Sequence, residues 1–270
     1  MILIPLVLAL VFLGPQWLFV LSVAAVAVLA GWECMGLAQK RGADPPRVAV
    51  VLAILALFAC NFEWPGQTMA MLCMLAVGLL LYCVFSRPVR QVLTDASMAV
   101  FCLFYAGFTL LSLPALRQSS EGDGVSLVVF LLCVVWAGDM AALAVGRSWG
   151  RRKLAPALSP NKTWEGAIGS VAGSLLVTGV LLGLAHLLTV EWNSALLSYP
   201  ENAGYWLGLA VVVNVAAQAG DLAESALKRS AGVKDSGRLL PGHGGVLDRI
   251  DALLVAAPVL WYAQVIRQWF

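Results

Sequence analysis

The chain alternates between long apolar runs and short polar intervals. Nine runs stand out: Ile2–Leu13, Trp17–Leu37, Val48–Phe62, Thr68–Phe85, Ser97–Leu116, Val125–Val145, Gly166–Val190, Ala203–Leu227 and Ile250–Phe270. A bilayer crossing needs about 20 mostly apolar residues. The pattern therefore predicts an all-α fold, a polytopic membrane helix bundle of about nine transmembrane helices. The first and third runs are the shortest. Gly14-Pro15 breaks the first pair into a tight hairpin. Residues 1–13 have no basic stretch ahead of the apolar run and no clean small-x-small site after it, so they read as a span rather than a leader. Composition agrees: 61% of the 270 residues are hydrophobic, against roughly 45–50% in an ordinary soluble domain.

The polar intervals are not alike. If each is numbered by the run it follows, 15 of the 17 Lys and Arg residues fall on the even intervals, and only Arg117 and Arg267 do not. The odd side carries Glu63, Glu121, Asp123, Glu191 and Glu201. Cytoplasmic loops of membrane proteins hold the excess of Lys and Arg. The even side is thus expected in the cytoplasm, with the N-terminus inside and the C-terminus outside. A basic face of this kind suits anionic lipid and nucleotide phosphate. The six cysteines lie in apolar runs without a Cys-x-x-Cys pair, and read as small core or lipid-facing residues.

The two halves also differ. Residues 1–124 carry few charges within their runs and read as scaffold or lipid-facing helices, with Glu33 the exception and read as a structural anchor. Residues 125–270 place Asp139, Asp221, Glu224 and Asp251 in or at the edge of apolar helix, and read as the working half. No repeat of fixed period and no low-complexity tract is visible. His186 reads as an interior histidine.

The densest polar stretch is Ser225–Asp251, with nine ionisable side chains in 27 residues of a chain that is 12% charged. Asp221, Glu224, Ser225 and Lys228 precede or open it at spacings that share one helix face. Asp221 sits inside the membrane boundary, where a charge costs at least about 2.5 kcal/mol. An ion pair between Glu224 and Lys228 accounts for those two residues and leaves Asp221 unexplained. Pro241-Gly-His-Gly-Gly245 is either a plain turn or a loop whose backbone N–H groups approach an anion closely. Asp248 and Asp251 open the last helix, and either alone is an ordinary helix-start acid. Three carboxylates at one surface, Asp221, Asp248 and Asp251, call for a cation. Mg²⁺ takes one or two carboxylates together with substrate phosphates, and paired metals clamp an in-line displacement. Asp139, within its span, is functional by default.

Between the sixth and seventh runs lies Ser159-Pro-Asn-Lys-Thr-Trp-Glu-Gly166. Ser159 and Pro160 are expected to start a turn, Thr163 to cap a helix beginning near Trp164, and Lys162 to meet an anion at that helix N-terminus. The glycines of a P-loop are absent. Arg151, Arg152 and Lys153 are explained by topology.

These residues carry a resemblance. Ser225, Lys228-Arg229, Lys234-Asp235, Gly237, Pro241, His243-Gly244-Gly245, Asp248-Arg249 and Asp251 fill every fixed position of a signature that resembles that of the phosphatidate cytidylyltransferase family. The Ser159–Gly166 run, the Gly-Asp-Leu-Ala-Glu-Ser run at 220–225 and Trp32-Glu33 are also similar to this family. One departure is Met140 and Leu143 where the family commonly has Ser and Tyr, which removes two hydroxyls and leaves Asp139. The resemblance implies that CTP and phosphatidic acid give CDP-diacylglycerol and pyrophosphate. It further implies catalytic roles for Asp221, Asp248, Asp251 and Lys228. Ser159, Lys162, Thr163, Glu224, Arg229, Lys234, Asp235, His243, Gly244, Gly245 and Arg249 would bind substrate. Asp221, Asp248, Asp251 and Asp139 would hold Mg²⁺, with a second, monovalent cation left open. The implied partners are CTP, phosphatidic acid and the lipid bilayer, and no nucleic acid; a homodimer is left open. The expected place is the bacterial inner membrane, with the active site on its cytoplasmic side. Another membrane phosphotransferase would share the carboxylates and Mg²⁺. A transporter would tend to show matched halves, which are not visible.

Overall fold

The structure is a computed structural model, and it describes residues 3–119, 123–192, 196–200, 202–237 and 244–267. It is almost entirely helical. In chain order the elements are α1 (Leu3–Leu13), α2 (Gln16–Gln39), α3 (Arg47–Glu63), α4 (Thr68–Ser86), α5 (Val89–Cys102) and α6 (Ser112–Arg117). There follow α7 (Gly124–Trp149), β1 (Lys153–Ala155), β2 (Ser159–Thr163), α8 (Trp164–Trp192), α9 (Ala203–Ser230) and α10 (Leu247–Arg267). Seven described stretches are long and apolar enough to cross a membrane: Gln16–Gln39, Pro65–Ser86, Val89–Arg117, Gly124–Trp149, Trp164–Glu191, Ala203–Ser230 and Leu247–Arg267. The chain is thus a multi-pass, helical membrane protein. The two remaining runs form α1, with 11 residues, and α3, with 17. At 1.5 Å per residue both fall short of the roughly 30 Å hydrocarbon core.

Local sequence explains most boundaries. Pro15, Pro46 and Pro88 immediately precede α2, α3 and α5, where their missing N–H is no loss. Glycines stop two helices. After α2, Gly42 adopts φ +85°, its N–H reaches Gln39 O at 3.0 Å, and Ala43 N reaches Ala38 O at 3.2 Å. After α9, Gly232 adopts φ +70°, with Gly232 N to Arg229 O at 3.0 Å and Val233 N to Lys228 O at 3.0 Å. This paired pattern satisfies the last carbonyls of a helix and needs a left-handed residue.

Three sequence expectations are corrected. The fifth span begins at Val89, not Ser97, because Asp95 is taken into the helix with no exposed surface and accepts the Asp44 N–H at 2.7 Å. The polar residues that depress hydropathy there are therefore helical. A π-helical turn, Leu103–Phe108, follows in the same stretch. Second, Ser159-Pro160 does not start a turn. It opens β2, which pairs antiparallel with β1, Lys153 opposite Thr163 and Ala155 opposite Ser159. The turn lies just before, with Leu158 N bonded to Ala155 O at 3.1 Å. His186 is exposed on α8 rather than interior.

The chain forms two compact units. The first takes in the described residues of Met1–Gly14, Ala115–Ala223 and Val255–Phe270. There α7 and α8 pack along their length. Small residues allow this approach: a Cβ on Gly169 would fall under 3.0 Å from Val145, and one on Gly173 would strike Ala141. Gly138 faces a buried polar ladder. Asn214 Nδ2 donates to Ser170 Oγ at 2.9 Å and Ser174 Oγ at 2.8 Å, and Gln218 Nε2 donates to Asn214 Oδ1 at 2.7 Å and Ala167 O at 3.2 Å. Ser174 Oγ then donates to Val134 O at 2.8 Å. In the same unit Arg117 donates to the carbonyls of Val11, at 3.1 Å, and Gly14. The second unit takes in Pro15–Pro114 and the described part of Glu224–Leu254. Its α2 packs on α3, α5 and the π-helical turn. Cys34 and Cys102 are buried there, with the Cys102 thiol donating to Cys34 Sγ at 3.2 Å.

The packing around Gly138 generates a test. A Cβ at this position would fall under 3.0 Å from Asn214 Nδ2, Ser170 Oγ and Ser174 Oγ, whereas one at Gly183 would meet nothing within 4 Å. Gly138→Val should lower stability by about 2 kcal/mol or more, through overpacking and broken buried hydrogen bonds. Gly183→Val should stay within about 0.5 kcal/mol. Thermal unfolding in detergent separates the two, and equal midpoints would contradict the ladder.

Candidate active site

Among the described residues, the sequence-predicted charged residues form a cluster in each unit. In the first unit the hairpin positions Lys162. Thr163 ends β2 and caps α8, its Oγ1 accepting the Gly166 N–H at 3.1 Å. Glu165, in the first turn of α8, accepts the N–H of Arg151 at 3.1 Å and that of Arg152 at 3.2 Å. These bonds tie the segment that enters β1 to the first turn of α8. Lys162 Nζ then meets Asp221 Oδ2 at 2.6 Å, with the two side chains 25% and 38% exposed. Asp139, on α7, is exposed and within electrostatic reach of both. The sequence-predicted residues Lys162, Asp221 and Asp139 thus lie together. Ser159 stands at the other end of the strand, paired with Ala155.

In the second unit the cluster forms at the end of α9. Lys228 contacts Glu224 one turn back and Asp248 Oδ1, the latter at 2.6 Å. Glu224 has no exposed side-chain surface, and Asp248 only 10%. The ion pair that spacing alone suggests is therefore present, with a third member added from 20 residues on. Asp248 Oδ2 accepts Ser236 N at 3.0 Å, Ser236 Oγ at 2.9 Å and Gly245 N at 2.8 Å. Gly244 adopts φ +79°, and a Cβ there would fall under 3.0 Å from Asp248 Oδ2. The glycines of the loop let its backbone close over this carboxylate.

The remaining predicted residues surround the loop. Arg229 is exposed and donates to Val233 O at 3.2 Å. Lys234, Asp235 and Arg249 are exposed. Asp251 Oδ1 accepts the Ala252 N–H at 2.8 Å. His243 lies outside the described residues.

A scan against family models matches residues 1–266 to the one described as "Cytidylyltransferase family". The chain belongs to that family. A phosphatidate cytidylyltransferase of Haemophilus influenzae is 34% identical over 283 residues, covering 97% of this chain and 94% of that protein. One from Staphylococcus saprophyticus is 39% identical over 67% of this chain and 64% of that protein. One from Brucella melitensis is 51% identical over 159 residues, 59% of this chain. The match spans about half the length of the Brucella relative, 54%.

Cytidylyl transfer moves phosphates, so the fit of the carboxylates to a divalent cation matters. Among the described residues no group of three or more His, Cys, Asp or Glu side chains is close enough to hold a metal by itself. Mg²⁺ does not need one, since substrate phosphates complete its shell. Asp221 uses one oxygen for Lys162 and keeps the other, and Asp139 forms no hydrogen bond or ion pair among the described residues. These hard oxygen donors, already near each other, fit Mg²⁺. Asp248 is different, because both its oxygens are engaged by protein donors.

Sequence reasoning took Glu33 as a structural anchor and missed that it holds the second cluster. Glu33, from α2, is buried at 4% exposure and accepts Ser236 Oγ at 3.0 Å, Val246 N at 3.1 Å and Leu247 N at 2.8 Å. The signal was available: a lone carboxylate inside an apolar helix is functional by default. Asn214 and Gln218 were also readable, since they stand four residues apart on the α9 face that leads to Asp221.

The cap on α8 can be tested alone. Thr163→Val keeps the shape but removes the oxygen that accepts the Gly166 N–H, and should cost about 1 kcal/mol. Chemical denaturation in detergent reads this, and an unchanged midpoint would mean the N-terminus of α8 finds its partner elsewhere.

Proposed function

We propose that this chain transfers a cytidylyl group from CTP to phosphatidic acid, giving CDP-diacylglycerol and pyrophosphate. The observation that carries the reading is the filled signature from Ser225 to Asp251, in a chain that the Haemophilus influenzae phosphatidate cytidylyltransferase matches over nearly its whole length. A lipid phosphate oxygen attacks the α-phosphorus of CTP. The bond from that phosphorus to the bridging oxygen breaks, and pyrophosphate leaves with the electron pair. No protein nucleophile is needed, because the phosphomonoester is one already. The protein's part is orientation and charge neutralisation.

Lys162 offers its ammonium to a phosphate, and its contact with Asp221 holds that ammonium in place until one arrives. Lys228 holds Asp248 and Glu224 in a fixed arrangement. Arg229, Lys234 and Arg249 stand exposed around the signature loop, where they can meet an anion. Charged donors form the stronger hydrogen bonds to phosphate. Asp139 and Asp221 are the residues that would hold Mg²⁺, which when bound neutralises phosphate charge. Asp248 and Asp251 join them in the proposed catalytic set.

Pyrophosphate release from CTP, measured with and without phosphatidic acid, tests the reading. Activity should require the lipid. Lys162→Ala should lose about 100-fold or more, while Arg152→Ala, on the same loop, should stay within about twofold. Equal losses would make the hairpin an undifferentiated basic surface. Asp248→Asn should lose activity by orders of magnitude while still inserting.

We further propose that the basic intervals after α4, α7 and α9 face the cytoplasm, in a bacterial inner membrane. Arg152 and Gly66 are both exposed, and they belong to intervals of opposite parity. An impermeant thiol reagent added outside should reach a cysteine at Gly66 and miss one at Arg152. Reaction at both sites, or at Arg152 alone, would overturn the orientation.

A further inference from the structure

Glu33 sits in the second unit with Asp248, and the two carboxylates are joined through one side chain. The Ser236 hydroxyl lies 3.0 Å from Glu33 Oε2 and 2.9 Å from Asp248 Oδ2. It has one hydrogen to share between them, while the Ser236 N–H goes to Asp248 at 3.0 Å. Glu33 also takes the N–H groups of Val246 and Leu247. These stand at the start of α10, where a helix has no internal acceptor for them and favours a negative charge. Asp248 follows directly in the first turn. Two signature glycines make room for this contact, since a Cβ on Gly237 or Gly245 would fall under 3.0 Å from the Glu33 carboxylate. Among the described residues no Lys, Arg or His lies within ion-pair distance of Glu33. Its charge is met by directed N–H and O–H donors, all of which belong to the signature loop or the helix it starts.

We propose that Glu33 is a positioning residue: it sets the orientation of Asp248 by gripping Ser236 and the first turn of α10. This rests on the proposed catalytic role of Asp248. Glu33 itself touches neither substrate nor metal.

The test compares kcat, KM for CTP and amide hydrogen exchange in the full-length protein reconstituted in lipid vesicles. Glu33→Gln keeps the size but turns one acceptor into a donor. Because Oε1 serves Val246 and Oε2 serves Leu247 and Ser236, either amide orientation sets an NH₂ against an N–H. A small misplacement of a reacting group costs on the order of 100-fold in rate. Glu33→Gln should therefore lower kcat about 30-fold or more, with KM for CTP moving less than about threefold. Ser236→Ala, a milder change, should lower kcat about fivefold. Exchange should quicken in the 245–249 segment in both variants and stay unchanged in α7 and α8.

The deciding comparison is made in the Asp248→Asn background. There Glu33→Gln and Ser236→Ala should have almost no further effect on kcat, because residues that act through one another do not add. Full additivity would make Glu33 a support for the fold only, and would overturn the proposal. So would normal kcat in both variants alongside an inactive Asp248→Asn. If Glu33→Gln fails to fold, Ser236→Ala decides by the same criteria. Near-normal turnover of Asp248→Asn would instead overturn the catalytic reading of Asp248, and the positioning role with it.

Discussion

A carboxylate removed from water must be met by something, and in this protein that requirement organises the polar residues. Asp221 is met by Lys162, Glu224 and Asp248 by Lys228, and Glu33 by hydroxyl and N–H groups. The consequences differ with the partner. An ammonium on a flexible stem yields to a better anion, such as a phosphate, and the carboxylate it leaves is then free to meet a cation. A backbone N–H at the start of a helix does not yield without moving the helix. The Lys162 contact, on the more open side chains, suits exchange with an anion, and the Glu33 contacts suit permanence.

The same contrast appears in what surrounds each cluster. Around Lys162 the backbone is a short hairpin, braced by Glu165 and ended by the Thr163 cap. That brace leaves the lysine side chain one-quarter exposed on a rigid base. Around Asp248 the loop is glycine-rich, closed over the carboxylate and anchored by Glu33 of α2. In the first unit α7, α8 and α9 are held by a different device, the amide ladder of Asn214 and Gln218. It saturates its own donors and leaves no charge to balance. Apolar burial alone would not specify one register between helices in lipid, whereas a ladder of this kind does.

Much of this was legible in the sequence, and the limits have physical reasons. Helices such as α7, α8 and α9 announce themselves because a continuous apolar run has one stable form in a membrane. The start of α5 was hidden because Asp95 and Arg90 lower local hydropathy, although Asp95 is buried by a backbone partner far away in the chain. The β1–β2 hairpin was hidden because Ser-Pro reads locally as a turn, while strand pairing is a relation between two segments. Thr163 was readable as a cap since its bond spans three residues. Lys162 and Asp221 were each readable as functional, but nothing local pairs them. Glu33 could be recognised as unusual, and its purpose could not, because every group it serves lies more than 200 positions on.

That separation has a consequence for how the protein is made. Leu247 lies 214 residues after Glu33. At about 5–20 residues per second, a ribosome needs roughly 10–40 s to produce the donors after α2 has emerged. During that interval α2 carries an ionisable side chain amid apolar ones, with its final partners not yet in existence. Its first resting place must therefore be somewhere wet or sheltered, at the membrane surface or beside the insertion machinery. The loop ahead of α10 therefore brings the donors that the Glu33 carboxylate of the second helix must wait for.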